Sequence, residues 1–217
     1  MAFCILALQS AAAAEPPRVL AARSAVLQGA ERDRFIAAHN AARKPLGLDP
    51  LSWSEALAGH ALETLQQQQE ALIRDTQEGW SKKHLPIPAH RSDSPYGENI
   101  AAWTGPKQTA DWAVRLWLRE KRAFDSLNAK PDYRFGDEQQ PASSPTPDAK
   151  PSPAPSTENP PRIIVGHYTQ IVWRTTTHLG AAQLTFDLVD DQGSTRTYAA
   201  IVCNYDPPGN RRGEKVY

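Results

Sequence analysis

The chain has 217 residues, which is enough for one domain with a substantial hydrophobic core. Its 24 Lys and Arg residues balance its 24 Asp and Glu residues, so the formal net charge is zero. This balance argues against a protein that binds nucleic acid or an anionic membrane surface through its overall charge.

Residues 1–14 form a short apolar run that ends in small residues, with an A-x-A site at Ala12–Ala14. The pattern is typical of the second half of a secretory signal peptide, with a buried N-terminal helix as the alternative, and it is too short to span a bilayer. We therefore expect a secreted protein, periplasmic or extracellular, without a transmembrane segment. Cleavage would leave Cys203 as the remaining cysteine, so we expect no internal disulfide.

The first half of the chain is predicted to be helical. Residues 15–29 contain alanine and proline and are expected to form a loose N-terminal arm. The spacing of apolar residues predicts a helix over Glu31–Arg43. Ser52 and Glu55 have the S-x-x-E spacing of a capping box, which predicts a second helix that runs to about Ile73.

A third helix is predicted to begin at Gly105-Pro106 and to run to about Phe124, because proline is favoured in the first helical turn. Glu120 falls in the middle of its apolar stripe. A carboxylate there costs roughly several kcal/mol to bury unless it is paired or hydrogen-bonded. The sequence therefore predicts a partner for Glu120. The stripe consists of Ala113, Leu116, Trp117, Glu120 and Phe124.

The second half is predicted to contain strands after a proline-rich stretch. Residues 137–161 cannot build a core and are expected to be a disordered insertion, for which we favour a spacer over a proline-rich recognition ligand. Leu179–Leu188 alternates as a strand, and Asp190–Ser194 is typical of a hairpin loop. Tyr198–Cys203 is apolar on both faces and is predicted to be a central strand. We expect an α+β domain over residues 30–217, with an antiparallel sheet covered by helices on both sides.

Four side chains could carry chemistry: His90, Glu98, Glu120 and His167. Two imidazoles and two carboxylates can hold a divalent metal ion, or they can form a hydrogen-bonded polar cluster. Their spacing alone does not show that they converge, since they match no local metal motif. The remaining helical and turn histidines are interpreted as structural: His39, His60 and His178.

Several blocks of this chain resemble the CAP superfamily, which includes cysteine-rich secretory proteins, venom allergens and plant pathogenesis-related proteins. The resemblance extends from Phe35 to Asn210, interrupted by the proline-rich insertion. The order of the matching blocks along the chain makes the resemblance specific. The blocks are His39–Arg43, Leu51–Trp53, Tyr96–Ile100, Gly166–Trp173 and Cys203–Asn210.

The resemblance implies a three-layer α-β-α sandwich with a central cleft lined by two histidines and two glutamates. Carried over to this chain, His90 and His167 would bind a metal ion, with Zn²⁺ or another divalent ion as the candidate. Glu98 and Glu120 would lie behind them. His84 is the alternative to His90 as the first cleft histidine, because the length of the loop before Tyr96–Ile100 varies within the family. The absence of family disulfides and of a cysteine-rich C-terminal module favours a minimal, bacterial-type member and argues against ion-channel or venom-type activity.

We therefore expect a monomeric secreted binding protein that takes a small or lipid-like ligand, or a partner, in the cleft. A metal-dependent hydrolase with a metal-bound water is an alternative, but catalytic zinc usually has three protein ligands. A ligand-free structural network of the four groups is a further alternative. No serine or cysteine nucleophile motif is present, so the interpretation favours a protein that is not an enzyme.

Overall fold

The computed structural model describes residues 17–79, 85–128, 133–136, 164–190 and 192–217. The signal-peptide prediction for residues 1–14, the insertion predicted at 137–161 and the competing His84 lie outside these ranges. Within the described residues, no helix is long and apolar enough to cross a membrane. The elements in chain order are β1 (Arg18–Val26), α1 (Gly29–Arg43), β2 (Ser52–Trp53), α2 (Glu55–Gly79), β3 (Gly97–Gly105), α3 (Asp111–Trp117), α4 (Lys121–Asn128), α5 (Gly166–Ile171), β4 (His178–Val189) and β5 (Thr195–Asp206).

The sheet is built around the β4–β5 hairpin. Its strands follow the order β1-β4-β5-β3, and the two-residue strand β2 pairs with β4 in parallel. All other pairings are antiparallel, and the hairpin register runs from His178 opposite Asp206 to Val189 opposite Thr195. Strand β5 lies between β4 and β3, which confirms that Tyr198–Cys203 is central.

The two faces of the sheet belong to two separate hydrophobic clusters. On β5, Ala199, Ile201 and Cys203 contribute to one cluster, whereas Tyr198 and Ala200 contribute to the other. This alternation follows from the two-residue period of a strand. Helices α1, α3, α4 and α5 contribute to the first cluster, and α2 covers the opposite face. The expected α-β-α sandwich is therefore confirmed.

Helix α2 packs closely on the sheet because of a glycine in β4. A Cβ atom at Gly180 would lie 2.5 Å from the Ser54 carbonyl oxygen and 2.7 Å from the Leu57 carbonyl carbon. Apolar side chains on one face of α2 are buried against the same strands. The missing side chain at Gly180 thus sets the distance between the first turn of α2 and the sheet.

Three local predictions are corrected. Residues 18–26 form strand β1 rather than a loose arm, because the long strand β4 supplies their hydrogen-bonding partners. Helix α2 is capped by Ser54 and not Ser52: the Leu57 N–H donates to Ser54 Oγ at 3.3 Å, while Ser52 lies in β2, and the helix continues to Gly79. The third helix begins at Asp111, and a 3₁₀ turn over Leu118–Glu120 separates α3 from α4.

Candidate functional site

Glu120 and His167 form a closely bonded pair where the turn after α3 meets the start of α5. The Glu120 carboxylate accepts hydrogen bonds from the His167 N–H at 2.9 Å and from the Tyr168 N–H at 3.1 Å. Its other oxygen lies 2.6 Å from His167 Nδ1. Two backbone donors and one imidazole thus satisfy the carboxylate whose burial required a partner.

The hydrogen bond to Glu120 fixes the tautomer of neutral His167. An ionised carboxylate only accepts, so Nδ1 carries the proton and Nε2 keeps its lone pair. Within the described residues, Nε2 of His167 has no hydrogen-bond partner. The ring stacks on Trp117 with centroids 6.1 Å apart and planes 13° apart. In its neutral form, His167 therefore presents Nε2 as a hydrogen-bond acceptor or metal ligand in a fixed orientation.

His90 and Glu98 form a second pair of the same kind. His90 Nδ1 lies 2.6 Å from Glu98 Oε1, and the side chains are 62% and 6% exposed, respectively. The hydrogen bond that His90 donates to Glu98 raises the pKa of His90 above its ordinary value, although partial burial of the ring opposes this shift. The second oxygen of Glu98 is buried and has no hydrogen-bond partner in the described part of the chain.

The four candidate residues are arranged as two imidazole–carboxylate pairs. Among the described residues, no three His, Cys, Asp or Glu side chains lie in an arrangement that could hold a metal ion. A nitrogen ligand whose other nitrogen donates to a carboxylate is nevertheless the usual form of a metal-binding histidine. Each pair thus has the chemistry of one nitrogen ligand, and His90 and Glu98 are not among the residues that line the pocket beside His167.

An open pocket of about 500 Å³ lies beside the Glu120–His167 pair. Apart from this pair and Arg119, its lining is apolar. Ile87 and Ile164 stand at this pocket with 61% and 62% of their surfaces exposed. The remaining lining residues come from β3, α3 and α4: Ile100, Ala101, Ala102, Leu116, Trp117 and Ala123. The imidazole therefore lies next to a surface suited to apolar groups.

A buried chain of hydrogen bonds supports His167 from behind. His39 Nδ1 lies 2.8 Å from the Phe35 carbonyl oxygen, and His39 Nε2 lies 2.8 Å from the Tyr205 hydroxyl. Burial lowers the pKa of His39 to about 4, so its ring is neutral at pH 7. Nδ1 must then donate to the carbonyl oxygen, and Tyr205 donates to Nε2.

Asn99 continues this chain to the site. Its Nδ2 donates to the Tyr205 hydroxyl at 3.2 Å and to the His167 carbonyl oxygen at 3.0 Å. Sequence reasoning gave His39 a packing role and did not single out Asn99 or Tyr205. The signal that could have found them was their position in blocks that resemble the CAP superfamily: Asn99 lies in Tyr96–Ile100 and Tyr205 lies in Cys203–Asn210.

The other histidines occupy structural positions. His60 is half-buried on α2, with Nδ1 at 3.2 Å from Asn204 Oδ1 and its ring edge against Tyr96. His178 is exposed and bonded to the neighbouring Thr177 hydroxyl. Neither histidine lines the pocket beside His167.

Comparison with known proteins gives a consistent match over most of the chain. The model of the cysteine-rich secretory protein family, CAP, matches residues 36–205. Pathogenesis-related protein 1A1 of Solanum lycopersicum is 31% identical over 82% of this chain and 73% of its own length. Pathogenesis-related protein 1A of Nicotiana tabacum is 30% identical over 88% of this chain and 82% of its own length. The crystal structure of MpPR-1i is 19% identical, with a TM-score of 0.44, and the match covers 83% of this chain and 89% of that one.

Proposed function

Because the chain belongs to the cysteine-rich secretory protein (CAP) family, we propose that it is a secreted binding protein that takes a small or lipid-like ligand beside His167. The observation that carries this proposal is the juxtaposition of an apolar pocket with an imidazole nitrogen that has no partner among the described residues. An apolar ligand body would contact Ile87 and Ile164. A polar head group would donate a hydrogen bond to Nε2 of His167.

We further propose that a divalent metal ion, with Zn²⁺ as the first candidate, is held through Nε2 of His90 and His167. Glu98 and Glu120 would orient the two rings through Nδ1, as carboxylates do behind metal-binding histidines. When bound, such an ion would supply a positive charge and Lewis acidity at the mouth of the pocket. The residues of this chain would position the ligand and exclude water from its apolar part.

A ligand-free structural network is the competing function, and one observation favours it. Glu120 already has three hydrogen bonds from its own chain, as a structural residue would. A metal-dependent hydrolase has less support, because two histidines are fewer protein ligands than catalytic zinc usually has. Cys203 offers no alternative nucleophile in the described chain, since it is fully buried and burial raises the pKa of its thiol.

Metal binding is tested by titrating the purified, metal-free protein with Zn²⁺ in a calorimeter. We expect one saturable site in the wild type, weakened at least tenfold in His90→Ala and in His167→Ala, because each loses one of two ligands. His178→Ala is the matched control, since His178 is exposed and away from the pocket. If the wild type takes up no Zn²⁺ and the two variants only lose stability, the structural network is the correct reading.

Ligand binding is tested with a fluorescent fatty acid. Ile87→Ser and Ile164→Ser should each weaken its binding several-fold, because each removes exposed apolar surface from the pocket wall. Leu20→Ser serves as the control, because Leu20 is an exposed apolar residue on β1, with 45% of its surface accessible, and does not line the pocket. Equal affinities for all four proteins would exclude this pocket as the ligand site.

A further inference from the structure

A second groove on the surface shares no lining residue with the His167 pocket. It consists of two adjoining cavities of about 270 and 160 Å³. Both are lined by Lys107, Gln108, Gln183 and Thr185. Taken together they reach the lower end of the range of small-molecule sites, about 300 to 1,000 Å³.

The floor of this groove is one cross-strand row of the sheet. Arg23 pairs with Thr185, Thr185 with Ala199, and Ala199 with Trp103, so one residue from each of four strands faces the same side. The loop between β3 and α3 adds Lys107 and Gln108 as a wall. The groove is therefore held by regular sheet geometry and not by a surface loop alone.

Two local features mark this groove as more than ordinary surface. Trp103 is only 6% exposed and lines the groove, and its indole N–H has no acceptor in the described chain. A buried donor without an acceptor is unusual and calls for a partner. Strand β1 also bulges between Leu20 and Arg23, and Ala21, which lines the groove, has a φ of 49°. That left-handed conformation is unfavourable for a residue with a Cβ atom.

The charged residues of the groove leave an excess of positive charge. Neither Arg23 nor Lys107 has an acidic partner within the described residues. Of the acidic lining residues, Glu31 is ion-paired with Arg34 and also accepts from the Ala110 N–H. Asp187 accepts only from the Thr197 hydroxyl and keeps its negative charge, so Arg23 and Lys107 exceed it by one positive charge. An added carboxylate would therefore find cations that are free to bind it.

The remaining polar groups suit hydroxyls. Gln108 and Gln183 each carry a donor and an acceptor, and the Thr185 hydroxyl can do either. None of the three side chains has a hydrogen-bond partner among the described residues. We propose that this groove is a second ligand site, and that it binds a sugar acid, a compact molecule with several hydroxyls and one carboxylate.

The probe for this proposal is galacturonic acid, with galactose as the uncharged control of the same ring shape. In ¹H–¹⁵N spectra of the full chain, galacturonic acid should shift the Trp103 indole resonance saturably. That resonance is assigned by its loss in Trp103→Phe. Galactose should bind at least tenfold more weakly, because it lacks the charge-assisted hydrogen bonds. No saturable shift, or equal binding of the two sugars, would overturn the proposal.

Substitutions in the groove test whether galacturonic acid binds there. Lys107→Gln should weaken galacturonic acid about tenfold, and Arg23→Gln should have a similar effect, whereas Arg74→Gln should have none. All three residues are exposed, so their substitution leaves the core intact, and Arg74 lies on α2 away from the groove. His167→Ala should bind galacturonic acid as the wild type does. Loss of binding in that variant would place the sugar in the other pocket and would refute this inference independently of the proposed function.

Discussion

Acidification should destabilise the protein through His39, and the size of the effect follows from its burial. Its pKa falls from 6.5 in the unfolded chain to about 4 in the folded protein, chiefly because the ring is fully buried. Between these values the unfolded chain binds more protons than the folded one, so stability decreases as the pH falls. From pH 7 to pH 5 this difference amounts to about 2 kcal/mol.

The assay is urea unfolding of the wild type and of His39→Gln at both pH values. His39→Gln removes the titrating group, so its free energy of unfolding should fall by about 2 kcal/mol less than that of the wild type over the same interval. His178→Gln is the control, because that histidine is exposed, and it should show the wild-type dependence. If His39→Gln lost as much stability as the wild type, the assignment of a neutral, buried imidazole would be refuted.

Further substitutions test the capping, the close packing and the site. Ser54→Ala should lower stability by about 1 kcal/mol through loss of the α2 cap, and Ser52→Ala should change little; equal effects in thermal unfolding would contradict the assigned cap. Gly180→Ala should lower the free energy of unfolding by about 3 kcal/mol or more, because a Cβ atom there meets the backbone of α2. Gly59→Ala should instead stabilise α2 by about 0.5 to 1 kcal/mol, because the space around Gly59 is open. Glu120→Gln should lower the free energy of unfolding by about 1 to 2 kcal/mol. At alkaline pH it should also move the imidazole proton of His167 from Nδ1 to Nε2. An unchanged His167 tautomer in ¹⁵N spectra would show that the Glu120 carboxylate does not set it.

The parts of the fold that sequence could predict are those in which local pattern and burial agree. Tyr198–Cys203 is apolar on both faces because both faces are covered, and the structure places it between two strands. Glu120 was expected to need a partner, since an apolar stripe cannot bury a lone carboxylate. The structure supplies two backbone amides along with His167, which side-chain types alone could not reveal.

The rest depends on contacts between residues distant in sequence. Strand β1 has no clear alternation, and it becomes a strand through its pairing with β4. Ser52 has the spacing of a capping box, but it lies in β2 and pairs with His178 of β4. Ser54 therefore caps α2. The link from His39 to Asn99 passes through Tyr205, and no periodicity predicts that three such distant residues share hydrogen bonds.

The burial of Cys203 at the centre of the sheet has a practical consequence. It is the only cysteine in the described part of the chain, and none of its surface is accessible. A thiol reagent can reach it only when β5 separates from its neighbours, because both faces of that strand are covered. In a Cys4→Ser chain, the labelling rate of Cys203 would therefore report how often the middle of the domain opens, with no added probe and no change to the core.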